Sequence, residues 1–201
     1  MVHSAINELK SVPNMITSLR FILAPFLLYF SYIQELFVFT ILFYVCGISD
    51  YIDGPIARRY KLTSELGSFL DSLADELLLL FGLIFIYLLK PEILINNIPI
   101  FVAFLIVYII ERIFFFVLHK GKVRLHTYSG KTFARAYYIF LPVMFYVNNY
   151  RPFMYLILLL GVVTLIEHSL IYIKYKEIDP EIKSFINPKY NPLSYIYKLP
   201  F

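Results

Sequence analysis

"SDYIDGPIARRYKLTSELGSFLDSLADELLLLFGLIF", from Ser49 to Phe85, is the stretch whose reading decides the fold. It sets four aspartates, Asp50, Asp53, Asp71 and Asp75, between segments apolar enough to lie in lipid. One uncompensated charge at the middle of a membrane helix costs about 2.5–3.5 kcal/mol on insertion scales, so four would cost on the order of 10 kcal/mol. The aspartates therefore require a cation close by.

The rest of the chain fits a membrane setting. Of 201 residues, 60% are hydrophobic and only 16% charged, where soluble domains carry about a quarter charged residues. The expected fold is an all-α integral membrane protein. Runs long enough to span, roughly 17–25 residues each, leave no room for a separate soluble domain. Hydropathy gives six candidate spans: Ile16 to Tyr32, Leu36 to Ser49 and onward, Leu66 to Leu89, Ile98 to Leu118, Thr132 to Val147, and Phe153 to Tyr172. Pro13, Pro91 and Pro152 stand before or between them, where a missing N–H costs least. The residues up to Lys10 are expected to form a short interfacial helix. This assigns residues 1–176 to a six-helix membrane domain. Residues 177–201, polar and punctuated by prolines, are expected to be a cytoplasmic or interfacial tail.

Orientation follows from Lys and Arg, which cytoplasmic loops carry in excess. The N-terminal segment holds Lys10 and Arg20, the second-to-third connection Arg58, Arg59 and Lys61, and the fourth-to-fifth Lys120, Lys122, Arg124, Lys131 and Arg135. The tail adds Lys174, Lys176, Lys183, Lys189 and Lys198, whereas the opposite side holds only Lys90 and Arg151. Both termini and the aspartate-rich connection are thus expected on the cytoplasmic side of the cell membrane. The net charge of +4 belongs to this topology and not to nucleic-acid binding, for which no motif is present. The single cysteine, Cys46, lies in an apolar run and allows no intramolecular disulfide. The first span ends in bulky residues without a small-residue cleavage site, which argues against a removable signal peptide.

Residues three or four apart share a helix face. Asp50, Asp53, Gly54, Ala57 and Arg58 form one such stripe, and Gly67, Asp71 and Asp75 another. Two helices meeting along these stripes would gather all four carboxylates. The bland reading pairs them with Arg58, Arg59 and Lys61 or leaves them solvated at a helix end, which accounts for one or two of them but not for their convergence beside two glycines. Hard divalent cations suit an all-carboxylate cluster, and Mg2+ in particular binds a few carboxylates plus substrate phosphates. Two ions, Mg2+ or Mn2+, would bridge a pyrophosphate, and a fourth carboxylate could take a proton from an attacking hydroxyl. Pro55 marks either a bend or a helix end at this place.

These residues stand in the order D-x2-D-G-x2-A-R-x8-G-x3-D-x3-D, which resembles the signature of the CDP-alcohol phosphotransferase family, whose members also have six spans. The resemblance implies that Asp50, Asp53 and Asp71 bind two metal ions, with Asp75 a further ligand or the general base. It implies that Asp50, Gly54, Ala57, Arg58 and Gly67 contact the cytidine diphosphate group. It implies, finally, a homodimer in which an alcohol hydroxyl displaces CMP from a CDP-linked lipid, CDP-diacylglycerol or its archaeal ether counterpart CDP-archaeol. "PNMITSLRFILAPF" (Pro13–Phe26) and "GSFLDSLADELL" (Gly67–Leu78) are similar to the phosphatidylglycerophosphate synthase branch, so the implied acceptor is glycerol 3-phosphate. Ser72, Glu76 and Arg135 depart from that branch's usual Pro, Lys and Gln, which keeps inositol phosphate and serine open as acceptors.

Arg112 lies inside the fourth span and must face the bundle interior, paired with Glu111 or Glu167. Arg112, Lys131 and Arg135 are candidates to hold an acceptor phosphate. For Lys131 simple membrane anchoring serves equally. His126 and His168 are either catalytic or, more commonly for such residues, polar contacts, and Arg151 falls on the opposite side. The rival class, a cation transporter, needs polar residues in both membrane halves, and the outer connections hold almost none.

Overall fold

The structure, a computed structural model, describes residues 12–60, 65–119, 125, 127–175 and 184–185. The expected interfacial helix before Lys10 and nearly all of the tail lie outside the described residues, as do Lys61, Lys120, Lys122, Arg124 and His126. The chain forms two compact units, Met1–Asn96 and Asn97–Phe201.

In the first unit, α1 (Val12–Tyr32), α2 (Leu36–Arg59) and α3 (Glu65–Leu89) are long helices, and α4 (Pro91–Ile95) is a single short turn. α1 carries two faces written in its sequence. Thr17, Arg20, Ala24, Leu27 and Ser31, spaced by three and four, are buried, whereas Ile22, Phe26 and Tyr29 are exposed. The buried stripe packs against both α2 and α3. Phe39 and Phe43 of α2 meet Phe85 of α3 edge to face, with ring centroids 5.0 and 6.2 Å apart, an arrangement favoured by the ring quadrupoles. These rings lie about 20 Å along α3 from Asp71, at 1.5 Å rise per residue. α2 runs through Pro55 to Arg59, so the helix does not end at that proline. A tight turn with Gln34 at φ 59° joins α1 to α2.

The second unit contains α5 (Ile98–His119), α6 (Tyr128–Tyr146) and α7 (Arg151–Lys174), with α7 packed on both others. Thr127 caps α6 by accepting the backbone N–H of Gly130 at 3.2 Å, which satisfies a donor the helix start leaves without an internal partner. Pro91 and Pro152 stand in the first turns of α4 and α7, as their missing N–H permits.

The six long helices fall on the six expected segments. Phe69–Leu89, Ile98–Leu118 and Arg151–Lys174 are long and apolar enough to cross a membrane, and Ile16–Tyr32 and Leu36–Ile52 are shorter apolar helices. Large apolar side chains are exposed along all of them. A soluble protein could not leave so much in water, and the chain is an all-α membrane protein. The short α4 was not foreseen, because five residues carry too little periodicity to be read.

Candidate functional site

At one end of the first unit, Asp50 of α2 and Asp71 and Asp75 of α3 come together, with one carboxylate oxygen from each lying within 4.8 Å of the others. Two unit charges at that separation repel by about 3 kcal/mol even at an effective dielectric near 20, so three such pairs cannot be held by packing alone. The cation is Arg20 of α1. Its guanidinium donates Nη1–H to Asp50 Oδ1 at 3.2 Å and Nη2–H to Asp71 Oδ1 at 2.6 Å, and Nη1 also bonds Asp75 Oδ1. A planar fork of donors suits several carboxylates at once, which a lysine ammonium could not match.

Sequence leads to the convergence of these carboxylates and to the need for a cation, with divalent metal as the main expectation and Arg58, Arg59 and Lys61 as the bland alternative, but it counts Arg20 only among the positive charges of the N-terminal segment. The correction is physical. Arg20 lies one turn inside the first apolar run, in step with Thr17, Ala24 and Leu27, and a charge there is stable only when turned inward and paired. That reasoning, applied to Arg112, would also have found Arg20. The geometry also differs in one respect from two helices simply meeting along their stripes, since a residue of a third helix fills the place between them.

Asp53, Gly54, Ala57 and Arg58 lie on α2, and their side chains fall outside the described part of the structure. Gly67 stands in the first turn of α3, half-buried. The donor set is made of hard carboxylate oxygens, the chemistry that divalent cations such as Mg2+ select. Three carboxylates stand against the single positive charge of Arg20, so negative charge remains in excess and the residues present fit a cation site.

The second unit contains a polar network of its own. Glu111 of α5 is fully buried and accepts two bonds from the neighbouring Arg112, Nε–H at 2.5 Å and Nη2–H at 2.8 Å. Arg112 lies over the rings of Tyr108 and Phe115. His168 of α7 approaches Glu111 at 3.7 Å through Nδ1 and Thr127 at 3.1 Å through Nε2. Ser129 donates to Glu167, whose other oxygen accepts Ser184 Oγ–H and the backbone N–H of Phe185, each at 3.0 Å. Of the two partners expected for Arg112, the structure selects Glu111, and Glu167 instead holds Ser129 and two residues of the tail. His168 is a polar contact in this network. Lys131 and Arg135 are exposed on the first two turns of α6.

Comparison with known proteins places the cluster in a family. Residues 10–166, most of the chain, match the family model for CDP-alcohol phosphatidyltransferase. Over 79 residues the chain is 34% identical to the CDP-diacylglycerol–glycerol-3-phosphate 3-phosphatidyltransferase of Haemophilus influenzae, an alignment covering 38% of this chain and 43% of that protein. The proteins of the same description from Rickettsia typhi and Rickettsia felis are 34% identical over 87 residues and 35% over 86. Those alignments cover 42% and 41% of this chain and 48% and 46% of the relatives, so the chain spans less than half the length of the curated relatives it matches. With the family match running from before Arg20 to beyond Asp75 and across all six long helices as far as α7, the chain belongs to the CDP-alcohol phosphatidyltransferase family.

Proposed function

We propose that this protein is a membrane phosphatidyltransferase that displaces CMP from a CDP-linked lipid with the hydroxyl of a small alcohol, glycerol 3-phosphate being the best candidate. The observation that carries this reading is the gathering of Asp50, Asp71 and Asp75, in the family's spacing, at the end of apolar helices. In the proposed reaction the acceptor oxygen bonds to the lipid-bearing phosphorus, the bond from that phosphorus to CMP breaks, and the hydroxyl proton passes to a carboxylate. Two bound Mg2+ ions, or Mn2+, would supply charge neutralisation to the diphosphate.

Asp50, Asp53 and Asp71 are the proposed metal ligands. Asp75 is the proposed base: its side chain is 46% exposed, against 23% and 25% for Asp50 and Asp71, which makes it the carboxylate of the three most open to an arriving hydroxyl. Gly54, Ala57, Arg58 and Gly67 are assigned by the family spacing to the CDP group. Arg112, Lys131 and Arg135 remain the proposed acceptor side. Lys131 and Arg135, exposed near the start of α6, are more accessible to a ligand than Arg112 and are the stronger candidates of the three. The printed names of the relatives favour glycerol 3-phosphate, while Ser72, Glu76 and Arg135 keep inositol phosphate and serine as the competing acceptors. The setting we propose is the cytoplasmic membrane, with a homodimer of six-span domains (residues 1–176) and the site on the cytoplasmic side.

The test is CMP release by the purified protein in detergent with a CDP-lipid and, separately, glycerol 3-phosphate, inositol 1-phosphate and serine. Release with one acceptor, abolished by chelation and restored by Mg2+, is expected. Asp75→Asn should lower it by about 10²–10⁴-fold, the range for loss of a general base. A folded protein that releases no CMP with any of the three acceptors and a matched donor would rule the reading out.

A further inference from the structure

Arg20 is the one fully buried guanidinium among the described residues, and it makes contacts to three carboxylates drawn from two other helices. Its burial is complete while the carboxylates it holds are partly exposed. The guanidinium therefore lies on the protein side of the cluster, and the outer side is where a ligand approaches. All three contacts use the Oδ1 atom of the aspartate. A single rigid fork thus fixes the rotation of three carboxylates at once.

Two physical consequences follow. The cluster can stay assembled with no divalent cation bound, since the repulsion among its carboxylates is offset from within. A resident positive charge a few ångströms away also repels an incoming cation and competes for the carboxylate charge. A site of this kind binds Mg2+ well only when substrate phosphates add their own negative charge, in keeping with the way Mg2+ is usually held.

We propose that Arg20 is a positioning residue: a built-in counter-cation that holds Asp50, Asp71 and Asp75 together before metal arrives and keeps the metal affinity of the substrate-free site low. This rests on the reading of the aspartates as a metal site. Removing the charge loosens the metal-free protein and at the same time strengthens its attraction for a divalent ion. A residue serving the fold alone would do the first without the second.

The experiment is titration of the purified full chain in detergent with Mn2+, followed by electron paramagnetic resonance, without nucleotide, on the wild type, Arg20→Gln and Arg20→Lys. Thermal midpoints are measured in parallel with and without Mn2+. Arg20→Gln should bind Mn2+ about tenfold more tightly than the wild type. Its metal-free midpoint should be lower and its gain on adding Mn2+ larger. Arg20→Lys, which keeps the charge but not the fork, should fall between the two. Equal or weaker Mn2+ binding by Arg20→Gln overturns the inference while leaving the metal site standing. If Arg20→Gln does not fold with or without Mn2+, Arg20→Lys decides, and affinity no tighter than wild type overturns the inference. If no form binds Mn2+ at millimolar concentration, the inference fails, and if none binds it with a CDP-linked lipid added either, the metal reading fails as well.

Discussion

A carboxylate buried without water is stable only if its charge is answered, and Glu111 shows how closely the second unit does so. Both of its oxygens bond Arg112, and His168 stands 3.7 Å away. Breaking a buried pair by deleting one partner costs about 3–5 kcal/mol. Because Arg112 retains some exposure and the rings of Tyr108 and Phe115, the lower end applies. Glu111→Ala should therefore destabilise the protein by about 3 kcal/mol, read as a fall in the thermal midpoint in detergent, and Glu111→Gln by less. A change within about 1 kcal/mol for Glu111→Ala would mean that the pair contributes nothing beyond its neighbours. The sequence allowed Arg112 either Glu111 or Glu167, because all three stand in apolar runs and spacing along a chain does not say which helices adjoin. The aspartates were legible for the opposite reason: Asp71 and Asp75 share a face of one helix by periodicity alone. The inward turn of Arg20 was legible from its place in an apolar run, but its partners were not, because they lie on other helices, thirty to fifty-five residues away in the chain.

Helix packing in the second unit turns on a position without a side chain. A Cβ placed on Gly161 of α7 would come within 2.5 Å of Phe104 Cε2 on α5 and 3.1 Å of Phe133 Cε2 on α6. The glycine lets both rings lie against α7, the close approach that small residues permit between membrane helices. Alanine is the better helix former by about 1 kcal/mol, whereas overfilling a packed contact costs about 1–3 kcal/mol. The ring edge can yield, so the net effect of Gly161→Ala should be a modest loss of stability, with Gly161→Leu considerably worse. Phe104→Ala should relieve the clash, so that the double variant loses less than the two single changes together. A Gly161→Ala protein as stable as the wild type would show that the rings simply step aside. Helix placement was read closely from hydropathy because an apolar run of spanning length has few other fates. Which faces meet was mostly not, since outside the polar stripe of α1 nearly every face of such a helix is apolar and little marks one side from another. α6 is the partial exception, its polar start fixed by Thr127 and its inner face by Ala136, Tyr137, Leu141 and Met144.

At the scale of the whole molecule, the question is which side of the membrane the aspartates face. The expectation from sequence rests on charge: the links after α2 and α5 are rich in Lys and Arg, while the stretch around α4 offers Lys90 alone. Cationic loops are generally retained on the cytoplasmic side, and under the proposed function the site would face the compartment that supplies its substrates. The two ends of α3 test this, because Tyr60 precedes it on the aspartate side and Glu92 follows it in α4, both exposed. In a Cys46→Ala background, which removes the single native thiol, Glu92→Cys should react with a membrane-impermeant maleimide in intact cells. Tyr60→Cys should react only after inverted vesicles are prepared. The reverse pattern would put the carboxylate cluster on the outer side and overturn both the expected orientation and the proposed use of a CDP-linked lipid. Labelling of both from the same side would mean that α3 does not cross the bilayer, and would remove the six-span arrangement on which the proposed site depends.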